Sequence, residues 1–214
     1  STANQWVLGY NPAPWVKPDD PSRLCIFDVT RDCNVGIVGS IGAGKTVTTL
    51  GILIQAIAKA RALCLILDGK EGADLSVFRE VCDWQLCTPA TLRIQINAIA
   101  HEYMRRVRLL KDTNCANITE LNARGNAIPR VVIVLEEFTD VWNGLQHSDK
   151  ADVQRKMSTI INKGRYTGIH WVVVAQQHPV IEILVDPRTD RAFYVGEVDE
   201  HAAVVELVAF DRDD

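Results

Sequence analysis

The 214-residue chain has no apolar run approaching the ~20 residues that a bilayer-spanning helix needs, so the sequence itself offers no membrane span. Its first residues do not join a basic segment to an apolar stretch, which removes the signal-peptide pattern. Six cysteines (Cys25, Cys33, Cys64, Cys82, Cys87 and Cys115) include no C-x-x-C pair and no histidine at zinc-like spacing. That argues against a structural metal or a disulfide framework and favours a reducing, cytoplasmic compartment. Cys64, inside the apolar run Ala62–Leu67, is expected to be a free buried thiol. Positive charge is not in excess either. The net charge of −4 argues mildly against non-specific nucleic-acid binding by a lone chain, although a ring can gather basic residues in its pore while its outside stays acidic. No internal repeat, low-complexity segment or linker divides the sequence. The chain begins at Ser1 rather than Met, which is compatible with a piece of a longer, membrane-anchored parent.

What is present is ordinary for a globular domain: 47% hydrophobic and 23% charged residues, over a length sufficient for one core. Residues 1–34 read as an irregular lead-in broken by Pro12, Pro14, Pro18 and Pro21, with short strands at Trp6–Leu8 and Leu24–Phe27. Residues 35–214 read as one further unit. Val35–Val38 is a short apolar strand, and residues 45–60 carry apolar positions at helical spacing. Ala62–Leu67 is a second strand, closed by Asp68-Gly69. Helices are expected over 73–82 and 91–112. The second places Ile96, Ile99, Ala100, Tyr103, Met104, Val107 and Leu110 on one face, with Arg105, Arg106, Arg108 and Lys111 largely off it.

Further on, Asn117–Ala123 reads as a short helix, and the five aliphatic residues Val131–Leu135 as a strand covered on both faces. A helix over 150–164, strands at Ile169–Ala175 and Ala192–Val195, and a last helix over 199–209 complete the expectation. Alternating strands and helices imply an α/β fold with a mainly parallel central sheet flanked by helices.

Gly39-Ser40-Ile41-Gly42-Ala43-Gly44-Lys45-Thr46 is G-x-x-x-x-G-K-T, a P-loop signature between an apolar strand and an amphipathic helix. Phosphates need backbone N–H donors at close range, and Gly39, Gly42 and Gly44 permit that approach. The helix N-terminus adds its positive dipole end. Residues Gly39 through Val47 are therefore the candidate ATP-binding segment, with Lys45 reaching the β- and γ-phosphates and the Thr46 hydroxyl on Mg²⁺.

The strand Val131–Leu135 ends in Glu136-Glu137. A carboxylate at such a tip can hold the metal, and its neighbour can orient and deprotonate the attacking water; Glu136 is assigned the first role and Glu137 the second. Asp68 is a weaker competitor for the metal. The strand His170–Ala175 ends in the amides Gln176 and Gln177, a place where an amide can sense the γ-phosphate or simply close the strand. Arg165, in the basic turn Lys163–Gly168, is a candidate arginine finger toward a neighbouring subunit's nucleotide.

Taken together, these segments resemble the motor domain of the FtsK/SpoIIIE family of hexameric translocases, over about residues 33–209. The resemblance runs through Asn34–Gly39 into Gly44-Lys45-Thr46, then Leu65–Lys70, where the family usually ends a strand in Asp-Pro-Lys. It continues through Glu102–Arg106 and Leu135-Glu136-Glu137-Phe138-Thr139-Asp140, which is similar to the family's Walker B signature Asp-Glu-Phe-Ala-Asp. Its most specific part is Lys163–His170 followed by Ala175–Pro179, similar to Arg-x-x-Gly-Ile-His and Ala-Thr-Gln-Arg-Pro.

The resemblance implies a RecA-like P-loop NTPase that moves double-stranded DNA through a hexameric homo-oligomeric ring, with ATP and Mg²⁺ as cofactors. Lys45, Thr46, Glu136, Glu137 and Gln177 would carry the nucleotide chemistry. Arg165, or else Arg188 or Arg191, would act on the neighbouring ATP. Three positions depart from the pattern: Glu136 stands for the usual aspartate, Gln176 for threonine and His178 for arginine. The family's DNA-contacting loops fall near 144–150 and 178–187, where Lys150 is the only basic residue apart from histidines. Two other readings stay open: the related EccC/EssC ATPases of type VII secretion, which move protein, and a nucleotide-binding switch with little turnover.

Overall fold

The structure is a computed structural model describing residues 4–10, 24–31, 34–38, 42, 44–70, 75–175, 192–197 and 203–208. Its centre is a five-stranded, wholly parallel sheet of β3 (Val35–Val38), β4 (Leu63–Asp68), β5 (Asp83–Leu86), β6 (Val131–Glu136) and β7 (Ile169–Ala175). The order across it is β3-β7-β6-β4-β5. Parallel strands need crossovers, and these are α1 (Lys45–Ala58), α2 (Pro89–Asp112), α3 (Ile118–Ala123), α4 (Phe138–Gly144) and α5 (His147–Thr167). Two antiparallel pairs stand outside that sheet: β1 (Gln5–Tyr10) with β2 (Leu24–Asp28), and β8 (Ala192–Glu197) with β9 (Ala203–Val208).

The aliphatic run of β6 serves two cores because neighbouring side chains on a strand point to opposite faces. Val132 and Val134 pack with Trp6, Phe27, Ile37, Ile52, Leu53 and Ile66 on the α1 side. Ile133 and Leu135 pack with Ile96, Phe138, Met157, Ile160 and Trp171 on the α2 and α5 side. The short strands expected in the first 34 residues are present and join the α1 core. Gln55 of α1 holds β1, donating from Nε2 to the Val7 carbonyl and accepting from the Val7 N–H, both at 2.8 Å.

Helix α2 starts on a reciprocal cap in which Thr88 Oγ1 accepts from the Thr91 N–H at 3.2 Å and Thr91 Oγ1 accepts from the Thr88 N–H at 2.8 Å, with Pro89 following. Arg106, expected off the apolar face, is instead 1% exposed. Its Nε donates to Glu102 Oε1 at 2.7 Å and its Nη1 to the Thr167 carbonyl at 2.9 Å, tying α2 to the end of α5. A guanidinium can be buried when its donors are used in this way.

Three expectations change. The last helix, placed over 199–209, is the strand β9, paired antiparallel with β8. Its run Ala203-Val204-Val205-Glu206-Leu207-Val208 is rich in valine, whose branched Cβ favours a pleated strand over a helix. Within 73–82 the described helical segment is a single 3₁₀ turn, Ser76–Phe78. After it β5, which the sequence reading had not separated out, extends the sheet at its edge. Helices α2 and α5 are longer than expected at one or both ends, and Phe138–Gly144 forms the additional helix α4.

Hydrogen bonding to Arg105 first, and to Arg106 after it, outweighs burial and holds the Glu102 carboxyl down to about 2 from an ordinary 4.5. A lowered folded-state value means the stabilisation is complete above pH 4.5 and is lost as pH falls through about 2. Glu102→Gln should therefore lower the thermal midpoint at pH 7, with the gap from the parent protein closing between pH 4.5 and about 2; melting curves across that window check it.

Candidate nucleotide site

In a parallel sheet all strands end at one pole, and the loops leaving that pole share one crevice. β3 leads there into the glycine-rich loop. Of that loop, Gly42 and Gly44 are described, at φ 90° and φ 87°, left-handed values that glycine adopts without cost; Gly39, Ser40, Ile41 and Ala43 lie outside the described residues. Gly44 is the N-cap of α1, so no side chain caps the helix, and no acidic residue occupies its first turn. A helix N-terminus that starts on glycine in this way is the kind that suits an anion. A Cβ at Gly42 would meet nothing within 4 Å. Lys45 and Thr46 are half-buried and Val47 is exposed.

The helix is aimed by its buried face. Thr49, Ile52, Leu53 and Ala56 seat it on the sheet. β3 is in turn fixed by Asn34, whose Nδ2 donates to the Ile161 carbonyl at 2.9 Å and whose Oδ1 accepts from the Trp171 N–H at 3.0 Å.

Two strands away, β6 ends in Glu136, which is 4% exposed. Glu137 follows as the N-cap of α4, 7% exposed, with φ 51° and ψ 41°. A non-glycine residue in that left-handed region costs of order 1 kcal/mol, and such strain gathers at functional positions. The turn after β4 supports this tip. The Gly69 N–H donates to the Glu136 carbonyl at 3.1 Å. A Cβ on Gly69 would lie 2.9 Å from that oxygen, 3.0 Å from Val141 Cγ2 and 3.1 Å from the Glu137 carbonyl oxygen.

Lys70, which spacing alone had not singled out, brings its Nζ to 2.6 Å from Glu137 Oε1. Asp68 is committed elsewhere: Oδ1 accepts from the Lys70 N–H at 2.7 Å and Oδ2 from Trp84 Nε1 at 3.1 Å. Both oxygens being used, Asp68 serves as a turn clamp. Its charge, added to the larger effect of burial, pushes the Cys87 thiol up to about 12. The sequence reading carried Lys70 only within the resemblance, in Leu65–Lys70, and gave it no role of its own.

The structure therefore brings Gly42, Gly44, Lys45, Thr46, Glu136 and Glu137 to one pole of the sheet. Gln176 and Gln177 lie outside the described residues, as do Arg188 and Arg191. Arg165 is at the other pole. It belongs to the last turn of α5, just before β7 begins, and its Nη1 donates to the Arg31 carbonyl at 2.7 Å. Along β6 the two poles are separated by roughly 17 Å, at ~3.3 Å per residue.

No protein-family model matches the chain. Among curated proteins it is similar to the DNA translocase FtsK of Streptococcus pneumoniae (23% identity over 175 residues) and to the DNA translocase FtsK of Lactococcus lactis subsp. cremoris (25% over 175 residues). In both cases the match covers 74% of this chain and only 22% of the relative. Among solved structures it is similar to the pCW3 conjugation coupling protein TcpA, monomer form with ATPγS, at TM-score 0.74 and 18% identity. That match covers 91% of this chain and 55% of TcpA. It is also similar to EssC (ATPases 2 and 3) from Geobacillus thermodenitrificans, at TM-score 0.72 and 18% identity, over 93% of this chain and 38% of EssC.

The chain has a RecA-like P-loop ATPase fold and resembles the motor segment of FtsK. In this sheet β7 lies between β3, which leads to α1, and β6, which ends at Glu136.

The contact at Gly69 makes a two-signed prediction. Gly69→Ala should lower stability by roughly 1–3 kcal/mol, because the methyl meets backbone oxygens that cannot swing away. Gly51→Ala, in mid-α1 with nothing within 4 Å of the added carbon, should raise it by about 0.5–1 kcal/mol. Chemical denaturation of both variants checks the opposite signs.

Proposed function

We propose that the chain is an ATP-hydrolysing motor unit, with residues 35–214 as the motor and 1–34 as its lead-in. The observation that carries this reading is the convergence of a glycine-capped helix N-terminus and the Glu136-Glu137 tip at one pole of a single parallel sheet. Residues Gly39 through Val47 cradle the phosphates, and Lys45 reaches the β- and γ-phosphates. Thr46 and Glu136 offer a hydroxyl and a carboxylate, oxygen donors of the kind Mg²⁺ prefers. When bound, the ion neutralises phosphate charge. Glu137 orients the attacking water and takes its proton, and Gln177 reads the γ-phosphate.

Arg165 sits too far from its own chain's phosphate loop to serve it. Its role, shared as a possibility with Arg188 and Arg191, is on the ATP of a neighbouring subunit in a homo-oligomeric, hexameric ring. Double-stranded DNA is the cargo in this reading, supported by the similarity to the DNA translocase FtsK. The setting is cytoplasmic, compatible with a membrane-anchored parent belonging to a segregation or secretion machinery. No helix among the described residues is long and apolar enough to cross a membrane.

A second reading, protein export, is supported by specific features. The segment 144–150, expected as a loop, is instead the end of α4 and the first turn of α5, where Lys150 places its Nζ 5.8 Å from the centre of the Trp142 ring beside Asp149. That is poor equipment for gripping phosphates. The similar EccC (ATPases 2 and 3) of Thermomonospora curvata has been solved in complex with a signal sequence peptide.

ATP hydrolysis measured with and without long double-stranded DNA, at low and moderate salt, separates the two. A DNA motor should turn over faster with DNA, and the stimulation should weaken with salt as phosphate contacts are lost. Turnover indifferent to DNA would favour the export reading. Lys45→Ala and Glu137→Gln should each cut turnover by roughly 10²-fold or more, and full activity in either would overturn the site.

A further inference from the structure

We propose that Lys70 is a positioning residue that holds Glu137 in a restrained state, and that this ion pair must open before the carboxylate can work as a base. The inference rests on the reading of Glu137 given above.

The topology sets the direction of the pull. β4 flanks β6 on the side away from β7 and β3, so Lys70 reaches Glu137 from the flank opposite the phosphate loop. The backbone cannot make the adjustment. Glu137 is fixed at φ 51° and ψ 41°, and Gly69 is in contact range of the carbonyl oxygens of both Glu136 and Glu137. What can move is the Glu137 side chain, by rotation about its own bonds.

The lysine is itself aimed. Trp84 Nε1 holds Asp68 Oδ2, and Asp68 Oδ1 holds the Lys70 N–H, so the stem of Lys70 leaves β4 in a set direction. The chain of control runs from β5 through β4 to the acidic tip.

The chemistry gives the pair its sign. An ammonium 2.6 Å from Glu137 Oε1 occupies an oxygen that would otherwise take up the proton of the attacking water. The pair is also lopsided: the Glu137 side chain is 8% exposed and the Lys70 side chain 42%. The buried end is the base, and the open end is a cation that a passing anion can reach. A latch of this form keeps hydrolysis slow in the resting chain and leaves the lysine as the part that yields.

The test uses steady-state ATP hydrolysis without DNA for the parent protein and for Lys70→Met, Lys70→Gln, Lys70→Arg, Glu137→Gln and the double variant Lys70→Met/Glu137→Gln. Lys70→Met and Lys70→Gln should raise kcat about tenfold, the weight of one half-buried ion pair, with KM for ATP unchanged within about twofold. Lys70→Arg, which keeps the cation, should stay at the parent rate. Both variants carrying Glu137→Gln should be inactive.

If the two neutral variants run at or below the parent rate while Glu137→Gln is dead, the latch is overturned and the base assignment survives. If Glu137→Gln itself retains turnover, the base assignment falls and the latch with it. Melting curves of the two neutral variants identify any rate loss caused by misfolding. In that event a parent-like rate in Lys70→Arg with a raised rate in the better-folded neutral variant supports the latch, and a lowered rate in that variant overturns it.

Discussion

The chemistry proposed for this chain depends on the contact between two strand tips. Where β4 leaves the sheet, the Gly69 N–H donates to the Glu136 carbonyl at 3.1 Å, and the two chains approach so closely that no side chain fits between them. That contact does three things together. It satisfies a backbone acceptor at the edge of a buried tip, where an unpaired oxygen would be expensive. It braces Glu137 in a left-handed conformation that a non-glycine residue would otherwise avoid. It also delivers Lys70 to the Glu137 carboxylate. A bulkier residue at position 69 would disturb all three, since the same few atoms serve them.

Much of this was legible in the sequence, and the reasons lie in particular residues. Val131–Glu136 could be read because five aliphatic residues in a row leave little besides a doubly covered strand, and α1 because apolar positions at helical spacing follow Lys45. What escaped the reading depends on tertiary partners. Arg106 looks like a solvated charge on α2 until Thr167 and Glu102 are seen to take its N–H groups. β5 is only four residues, Asp83-Trp84-Gln85-Leu86, and becomes a strand because β4 offers an edge to pair with. β9 has valines that fit either pattern in a short window, and pairing with β8 decides the matter.

The block Lys163–His170, the most specific part of the FtsK-like resemblance, turns out to lie far from the phosphate loop. Its described residues do packing work. A Cβ on Gly164 would fall 2.5 Å from the Ile169 carbonyl oxygen, and Gly168 closes α5 at φ 73°. His170 is 1% exposed, with Nε2 3.1 Å from Arg130 Nη1 and its ring edge-on to Phe27. Arg130 also reaches the Val29 carbonyl and the Thr119 hydroxyl, so one buried guanidinium links the lead-in, α3 and β7. A specific sequence block is therefore evidence of shared architecture here, and its function has to be argued separately. Arg165 is exposed in that block, as is Lys163, and an arginine finger is the kind of role such a position can have only toward another subunit.

The charge count at the phosphate pole points the same way. The described strand tips carry three carboxylates, Asp68, Glu136 and Glu137, while the cations close by are Lys70 on the β4 tip and Lys45 on α1. Asp68 is held by N–H donors, and Lys70 is paired with Glu137. A nucleoside triphosphate adds further negative charge beside Glu136 and Glu137, and like charges at contact range in a poorly solvated crevice are strongly unfavourable. In the proposed reading, Mg²⁺ meets part of that demand. In the motor proposed above, such an acidic tip would make hydrolysis conditional on the cations brought to it, the property an assembly needs if ATP is to be hydrolysed only when its neighbours are in place.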